Sequence, residues 1–430
     1  MKSYAPTGLM RGQRFSSHGL RHGLKSFAAT RLILLALLVT CWVSSISAQT
    51  APATQPLLPI PRTERLPGNE SHRIGPPINS TTRPTSRPAP PPFIIAIWYP
   101  PAVSMPLWKA RGVNTVIGYE HQSNRVSMDE WTEAAVGNGL FMIRQPRPNP
   151  ADDLKEPYLL GWMHVDEPDL KRVEPSVLAD EYAEWKKAAP AMPVFLSVSG
   201  GGILFRKTPR VVYEQYFETA DWIANDFYPI TGWNQPTWIP RLGEAVELCR
   251  KHSGGKPQFA FIETSSQQLA WNPKETRGVT PDELRAEIWH AVIHGVKGII
   301  YFPQQFNPFV YDATPSPVSV EMAIQNRRLT ELAPILALPA NPKEVTVTVK
   351  PPLEVTWRLG MEGSIHVFIL NLSNQPAKNA GFQLSNPTDQ SLPFTSGDKE
   401  PLTVDNNHFM LELPAFGTGY FVVKRSKSTP

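Results

Sequence analysis

Eight short apolar runs recur between residues 93 and 306, and a helix-like stretch separates most of them from the next. They are FIIAIWY (93–99), VNTVIGYE (113–120), LFMIRQ (140–145), YLLGWMHVDE (158–167), VFLSVS (194–199), WIANDFYPI (222–230), QFAFIETS (258–265) and GIIYFPQQF (298–306). Strands that are apolar almost throughout are buried on both faces, the condition of a parallel sheet covered by helices. The helices carry their own boundaries. Ser127-Met128-Asp129-Glu130 reads as a capping box whose helix ends near Gly137-Asn138-Gly139. Thr280-Pro281-Asp282-Glu283 reads as a second, with proline at the first helical position. Behind it Leu284, Ile288, Ala291 and Val292 share one face, and Gly295 ends the run. Eight is the number of strands that closes a barrel. A doubly wound sheet is the rival, but no Gly-rich phosphate loop follows the first run. The predicted fold is therefore α/β, a (β/α)8 barrel over residues 93–338.

After about residue 340 the period drops to two. EVTVTVK, LEVTWRL, SIHVFILNL, AGFQL, LTVD, HFMLEL and GYFVVK follow without helical stretches, and Asn406-Asn407 sits between two of them as a hairpin turn would. This predicts a small antiparallel β-sandwich over 339–426.

Upstream of the barrel the composition changes twice. Residues 1–48 hold no Asp or Glu, and Lys2, Arg11, Arg14, Arg21, Lys25 and Arg31 precede the apolar run LILLALLVTCWV. A basic start, a short apolar centre and the small residue Ala48 predict a secretory signal over 1–48. The run is short for a span of roughly 20 residues, which makes a membrane anchor the weaker alternative. The expected location is secreted, periplasmic or cell-envelope, with no stable membrane insertion once the signal is cleaved. Residues 49–92 contain 12 prolines among Ser, Thr and Arg, and are expected to be a disordered linker. The whole chain carries 42 Lys+Arg against 38 Asp+Glu. Six of the basic residues lie in the signal, so the remainder has 36 against 38, or −2. That balance gives no support to nucleic-acid binding, which wants a basic patch on the folded domain. Only Cys249 lies beyond the signal, so neither an internal disulfide nor a Cys-based metal site is expected.

In such a barrel reactive residues gather at the carboxyl ends of the strands. The runs end on Trp98 and Tyr99; on Tyr119, Glu120 and His121; on Arg144 and Gln145; and on His164, Asp166 and Glu167. The sixth ends on Asn225, Asp226 and Tyr228, the seventh on Glu263, Thr264 and Ser265, and the eighth on Gln304 and Gln305. Cleaving a glycosidic bond needs one carboxyl to protonate the leaving oxygen and a second to attack the anomeric carbon or activate water. Glu167 and Glu263, three strands apart on an eight-stranded ring, suit that work.

These segments carry a family resemblance. GWMHVDEPD resembles the strand-four segment of the clan-A retaining glycoside hydrolases, the (β/α)8 group that includes β-galactosidase-like enzymes, and FIETSS resembles their strand seven. DWIANDFYPI looks like their sixth strand, and TPDELRAEIWHAVIHGVKGIIYF like their last helix and eighth strand. The resemblance covers roughly residues 93–335, and a C-terminal sandwich is a frequent appendage of these enzymes. It implies a glycosidase with Glu167 as acid/base and Glu263 as nucleophile. Many clan members have Asn before the acid/base, where this chain has Asp166. An ionised Asp only accepts hydrogen bonds, and its charge raises the pKa of a neighbouring carboxyl. Asp166, Trp98, Glu120, Arg144, Asp226, Tyr228 and Gln304 are the expected substrate-binding residues. Carbohydrate is the expected partner, and neither cofactor nor metal is expected.

Blander readings stand beside these. Trp98, Trp162, Trp233 and Trp271 offer faces for sugar rings, but large aromatics commonly serve as packing. His290 and His294 stand four apart on a helix, as zinc ligands can, but the run is HAVIH, without a Glu after the first His, on an outer helix. His164-x-Asp166-Glu167 lacks a second His cluster to complete a cation site. SVSGGG (197–202) lacks both the nucleophile elbow and the phosphate-loop Lys, and is expected to be a loop above the cleft. The rival function is a non-catalytic carbohydrate-binding barrel.

Overall fold

The computed structural model describes residues 87–119, 126–205, 210–265, 277–306, 308–385, 394–396, 403–405 and 408–423. The expected signal, nearly all of the linker, Glu120, Trp271 and the Asn406-Asn407 turn lie outside the described residues. All eight apolar runs form strands: β1 (Ile94–Trp98), β2 (Thr115–Ile117), β3 (Phe141–Arg144), β4 (Leu159–Met163), β5 (Val194–Ser199), β6 (Trp222–Asp226), β7 (Gln258–Glu263) and β8 (Gly298–Phe302). They pair in parallel in chain order, and β8 closes on β1. At that seam Ile94 stands opposite Gly298, where an added Cβ would lie 2.6 Å from the Ile94 carbonyl oxygen. Only glycine lets the closing strands approach so closely.

The described helices are α1 (Met105–Ala110), α2 (Met128–Gly137), α3 (Pro168–Lys171), α4 (Pro175–Ala188), α5 (Gly200–Phe205), α6 (Arg210–Glu218), α7 (Ile239–His252), α8 (Pro281–Ile293) and α9 (Ser316–Leu336). Both expected capping boxes are present, with Ser127 accepting from the Glu130 N–H and Thr280 from the Glu283 N–H. The SVSGGG glycines do not form a loop: they begin α5 directly after β5. Strand parity sorts the core. Ile94, Ala96, Ile143, Phe195, Phe259 and Phe261 fill the barrel interior. Ile95, Ile97, Met142, Ala260, Ile262 and Ile299 meet the helices outside. The interior is a packed core, so a ligand can enter only at an end. No helix among the described residues is long and apolar enough to cross a membrane.

The hairpin β9 (Gln305–Phe306) and β10 (Phe309–Val310) follows the barrel's last strand. Beyond α9 come β11 (Thr346–Val349), β12 (Leu353–Leu359), β13 (Ile365–Asn371), β14 (Ala377–Ser385), β15 (Phe394–Ser396), β16 (Thr403–Asp405), β17 (His408–Leu413) and β18 (Thr418–Val423). They make two four-stranded antiparallel sheets, β11-β14-β17-β16 and β12-β13-β18-β15. The two sheets share a core that includes Val347, Phe382, Phe409, Val367, Ile369 and Phe421.

β13 is buried along its whole length, against the alternation expected of a sandwich strand. Val367 and Ile369 enter the sandwich core, while Phe368 and Leu370 join the apolar layer outside the barrel. Trp289 of α8 stacks on Phe368 at 5.8 Å, and Phe368 on Tyr420 at 4.9 Å. The Arg285 guanidinium of the same helix donates to the Phe416 carbonyl at 3.3 Å. Barrel and sandwich therefore share packing. Truncating Phe368→Ala removes the ring between Trp289 and Tyr420 and is expected to cost roughly 3–5 kcal/mol. Calorimetry is expected to show one transition moved to lower temperature, not selective loss of a separate sandwich transition.

Candidate active site

β4 stops at Met163, and four residues later Glu167 takes a left-handed backbone conformation, φ 44° and ψ 60°. For a residue with a Cβ this costs of order 1–3 kcal/mol and needs support. The Glu167 N–H donates to the Ser197 carbonyl of β5 at 3.2 Å. Its carbonyl accepts from the Leu170 and Lys171 N–H groups of α3 at 3.1 and 3.0 Å. The sequence GWMHVDEPD thus ends a strand, turns sharply at Glu167 and starts a short helix at Pro168.

The Glu167 carboxyl is hydrogen-bonded to that of Asp226, the last residue of β6. Two carboxyls can share a hydrogen bond only if one carries a proton. Burial first, then the charge of Asp166, push Glu167 up to about 7. Burial and then the Glu167 charge raise Asp226 well above the usual carboxylate range. The pair therefore keeps at least one proton at neutral pH, and titrates as a unit.

Asp166 is held by Lys171, whose Nζ donates to its carbonyl at 2.5 Å and reaches its Oδ2 at 3.5 Å. Asp169 was not singled out from the sequence, although it completes three carboxylates in the four residues DEPD. It accepts from the Ser199 N–H and the Tyr213 hydroxyl, each at 3.1 Å, and ties the loop to β5 and α6. Tyr228 is 2% exposed and packs on Phe302 at 5.0 Å and Phe261 at 6.3 Å. Burial raises its phenol most, followed by the charges of Asp226, Glu167, Asp166 and Glu263. That ring lies in the field of all four acids.

Glu263 ends β7 but is closed in, at 0% exposure. Its Oε1 accepts from the Ile230 N–H at 2.7 Å, and its Oε2 from the Thr231 N–H at 2.6 Å and the Thr231 hydroxyl at 2.5 Å. The Glu287 carboxyl of α8 lies beside it, and burial raises both acids. As a set, these donors tie the segment after β6 to the end of β7.

Other expected site residues lie in packing. Arg144 is fully enclosed, with its guanidinium on Asp153 at 2.6 Å, so it braces the turn Pro150–Lys155 and is not open to a sugar. Trp98 is 3% exposed and meets Tyr99 and Phe261 edge-on at 4.8 and 4.9 Å, as part of the barrel floor. Gln304, two residues past β8, is 9% exposed. Trp162 is core, with its Nε1 donating to Asp153 at 2.9 Å, and Trp233 packs on Phe205 at 5.3 Å. His164 leaves the acids altogether. Its ring stacks on Trp185 at 4.8 Å, and its nitrogens reach Glu181 at 3.0 Å and the Thr219 carbonyl at 2.9 Å.

Residues 162–333 match the family model of glycoside hydrolase family 42, described as beta-galactosidase. No curated protein matches the chain. A family 39 glycoside hydrolase from Bacteroides cellulosilyticus is 16% identical, with 77% of this chain and 81% of that one covered and a TM-score of 0.47. A family 30 subfamily 8 xylanase from Clostridium acetobutylicum is 11% identical, with 77% and 95% covered and a TM-score of 0.43. A beta-galactosidase from the psychrophilic Marinomonas ef1 is 12% identical, with 57% and 62% covered and a TM-score of 0.42. The family match falls on a closed eight-stranded barrel that presents Glu167 after β4. Over residues 162–333 the barrel is therefore similar to the β-galactosidase-like glycoside hydrolases.

Two results are expected from the acid pair. Asp166→Asn removes a charge that raises Glu167, so the alkaline limb of the kcat/KM profile should move to lower pH by up to about one unit. The second concerns stability. Because the folded-state pKa of Glu167 is raised, its contribution is complete below the unfolded value of 4.5 and is lost as pH rises through about 7. Glu167→Gln should therefore raise the thermal midpoint at pH 8, by an amount equivalent to roughly 1–3 kcal/mol, and change it little at pH 4.

Proposed function

We propose that the chain is an exported glycosidase that hydrolyses oligo- or polysaccharides at the mouth of the barrel by a retaining, two-carboxylate mechanism. The observation that carries this reading is Glu167: a carboxyl after β4, raised to about 7 and bonded to Asp226. A group that is still protonated near neutral pH is suited to protonate a leaving oxygen. Glu167 gives its proton to the glycosidic oxygen as the bond to the anomeric carbon breaks. The Glu263 carboxylate bonds to that carbon. Glu167 then takes a proton from water, which releases the sugar and regenerates Glu263. Asp226 is too close to Glu167 to flank a sugar with it, because retaining pairs stand about 5–5.5 Å apart. It serves as the proton partner instead.

The place of Glu263 at the end of β7 supports the nucleophile's role, and its donors favour the ionised form. Its enclosure sets a condition: the Ile230–Thr231 segment must move aside when substrate binds. Export rests on the signal pattern of residues 1–48. β-Galactosides are the first substrates to test, given the description of the matching family.

An aryl glycoside panel tests the proposal. Glu167→Gln is expected to lower kcat by roughly 100- to 10,000-fold on substrates with poor leaving groups. Glu263→Gln is expected to abolish turnover, and NMR of the first product should show the substrate's own anomer. Full activity in Glu263→Gln would remove the nucleophile assignment. If no sugar is turned over while oligosaccharides bind both variants normally, the barrel is a carbohydrate-binding module.

A further inference from the structure

Away from the barrel mouth, two histidines of α8 meet a glutamate of the sandwich. His290 and His294, one turn apart, point at Glu354 of β12. Glu354 Oε2 stands 3.0 Å from His290 Nε2 and 3.4 Å from His294 Nε2. A ligand atom from each of the three residues lies within 4.8 Å of the others. Bonds of roughly 2.0–2.2 Å at tetrahedral angles put neighbouring zinc ligands about 3.4 Å apart. The His294 spacing equals that value, and the His290 spacing of 3.0 Å falls 0.4 Å short of it.

The hydrogen bonding gives a second, independent indication. Glu354 Oε2 is buried, yet makes no hydrogen bond of acceptable geometry despite its short distances to the imidazoles. His294 Nδ1 stands 3.1 Å from Glu247 Oε1 of α7, so a cation that displaces the Nε2 proton would find Nε2 facing Glu354 while Nδ1–H donates to Glu247. A histidine whose far nitrogen donates to a carboxylate is oriented as a zinc ligand is. Glu247 is in turn held by Arg250 at 2.6 Å.

The third indication is packing. Gly243 of α7 backs both rings, and a Cβ there would lie 2.3 Å from His294 Cδ2 and 2.5 Å from His290 Cε1. The absence of a side chain lets both rings pack directly against α7, which fixes their positions. We infer that His290, His294 and Glu354 form a divalent-cation site, most suited to zinc, that joins the barrel to the sandwich. Water fills the fourth position, and Glu247 is the positioning residue that orients His294. The HAVIH spacing therefore has its third ligand in another domain, where no local motif shows it.

The full-length chain tests this. After dialysis against zinc and then against buffer, mass spectrometry of the metal is expected to find one zinc per chain. The thermal midpoint should rise with zinc and fall with EDTA. Cobalt(II) should give the visible bands of a tetrahedral site with nitrogen and oxygen ligands. His294→Ala and Glu354→Ala should each lose the metal and the EDTA response. Glu247→Gln should keep the fold but weaken zinc binding by roughly 10- to 100-fold. If the wild-type chain binds no zinc at micromolar free metal, and its midpoint is the same in zinc and in EDTA, the cluster is an ionic clamp and the inference is overturned.

Discussion

Closure of β8 on β1 is the constraint on which the rest depends. It removes both sheet edges and sets eight strand ends around a single mouth. β4 and β6 both flank β5, which brings Glu167 to Asp226, and closure adds the end of β7 with Glu263 to the same ring. The seam is local and steric: a glycine at residue 298 accepts the Ile94 carbonyl where any side chain would collide.

What closure brings together is electrostatically costly. Four acids, Asp166, Glu167, Asp226 and Glu263, lie in the field of one buried phenol. Taking ionised carboxylates out of water is expensive, and the structure meets that cost in two ways. At the Glu167–Asp226 pair a proton is retained. At Glu263 three conventional donors and a neighbouring acid surround the charge. The first arrangement retains a proton near neutral pH, while at the second the donors oppose a burial that raises Glu263. In the mechanism proposed above, these are the states asked of the acid and of the nucleophile.

The sandwich belongs to the same economy. β13 is buried on both faces because it is shared, and Trp289, Phe368 and Tyr420 stack across the junction. α8, which carries Trp289, also carries Glu287 against Glu263 and the histidines against Glu354. One helix thus links the end of β7 to the sandwich.

Much of this was legible along the chain. Apolar runs of strand length, two capping boxes and the change of period past residue 340 are local patterns, and local sterics and burial fix what they become. Glu167 was legible for the same reason: it follows a strand whose number in the barrel can be counted. Arg144 was misread, and His164 turned away from the acids, because a residue at a strand end can face the mouth or the helices. Asp153, nine residues after Arg144, and Thr219, fifty-five after His164, decided which. The proton shared by Glu167 and Asp226, the enclosure of Glu263 and the meeting of HAVIH with Glu354 join residues 59, 32 and 60 or more positions apart. By itself the sequence determined the strands, helices and their order, because those depend on neighbours a few residues away. Only the tertiary structure decided which carboxyl keeps a proton, because a pKa depends on burial and on charges that chain distance does not reveal.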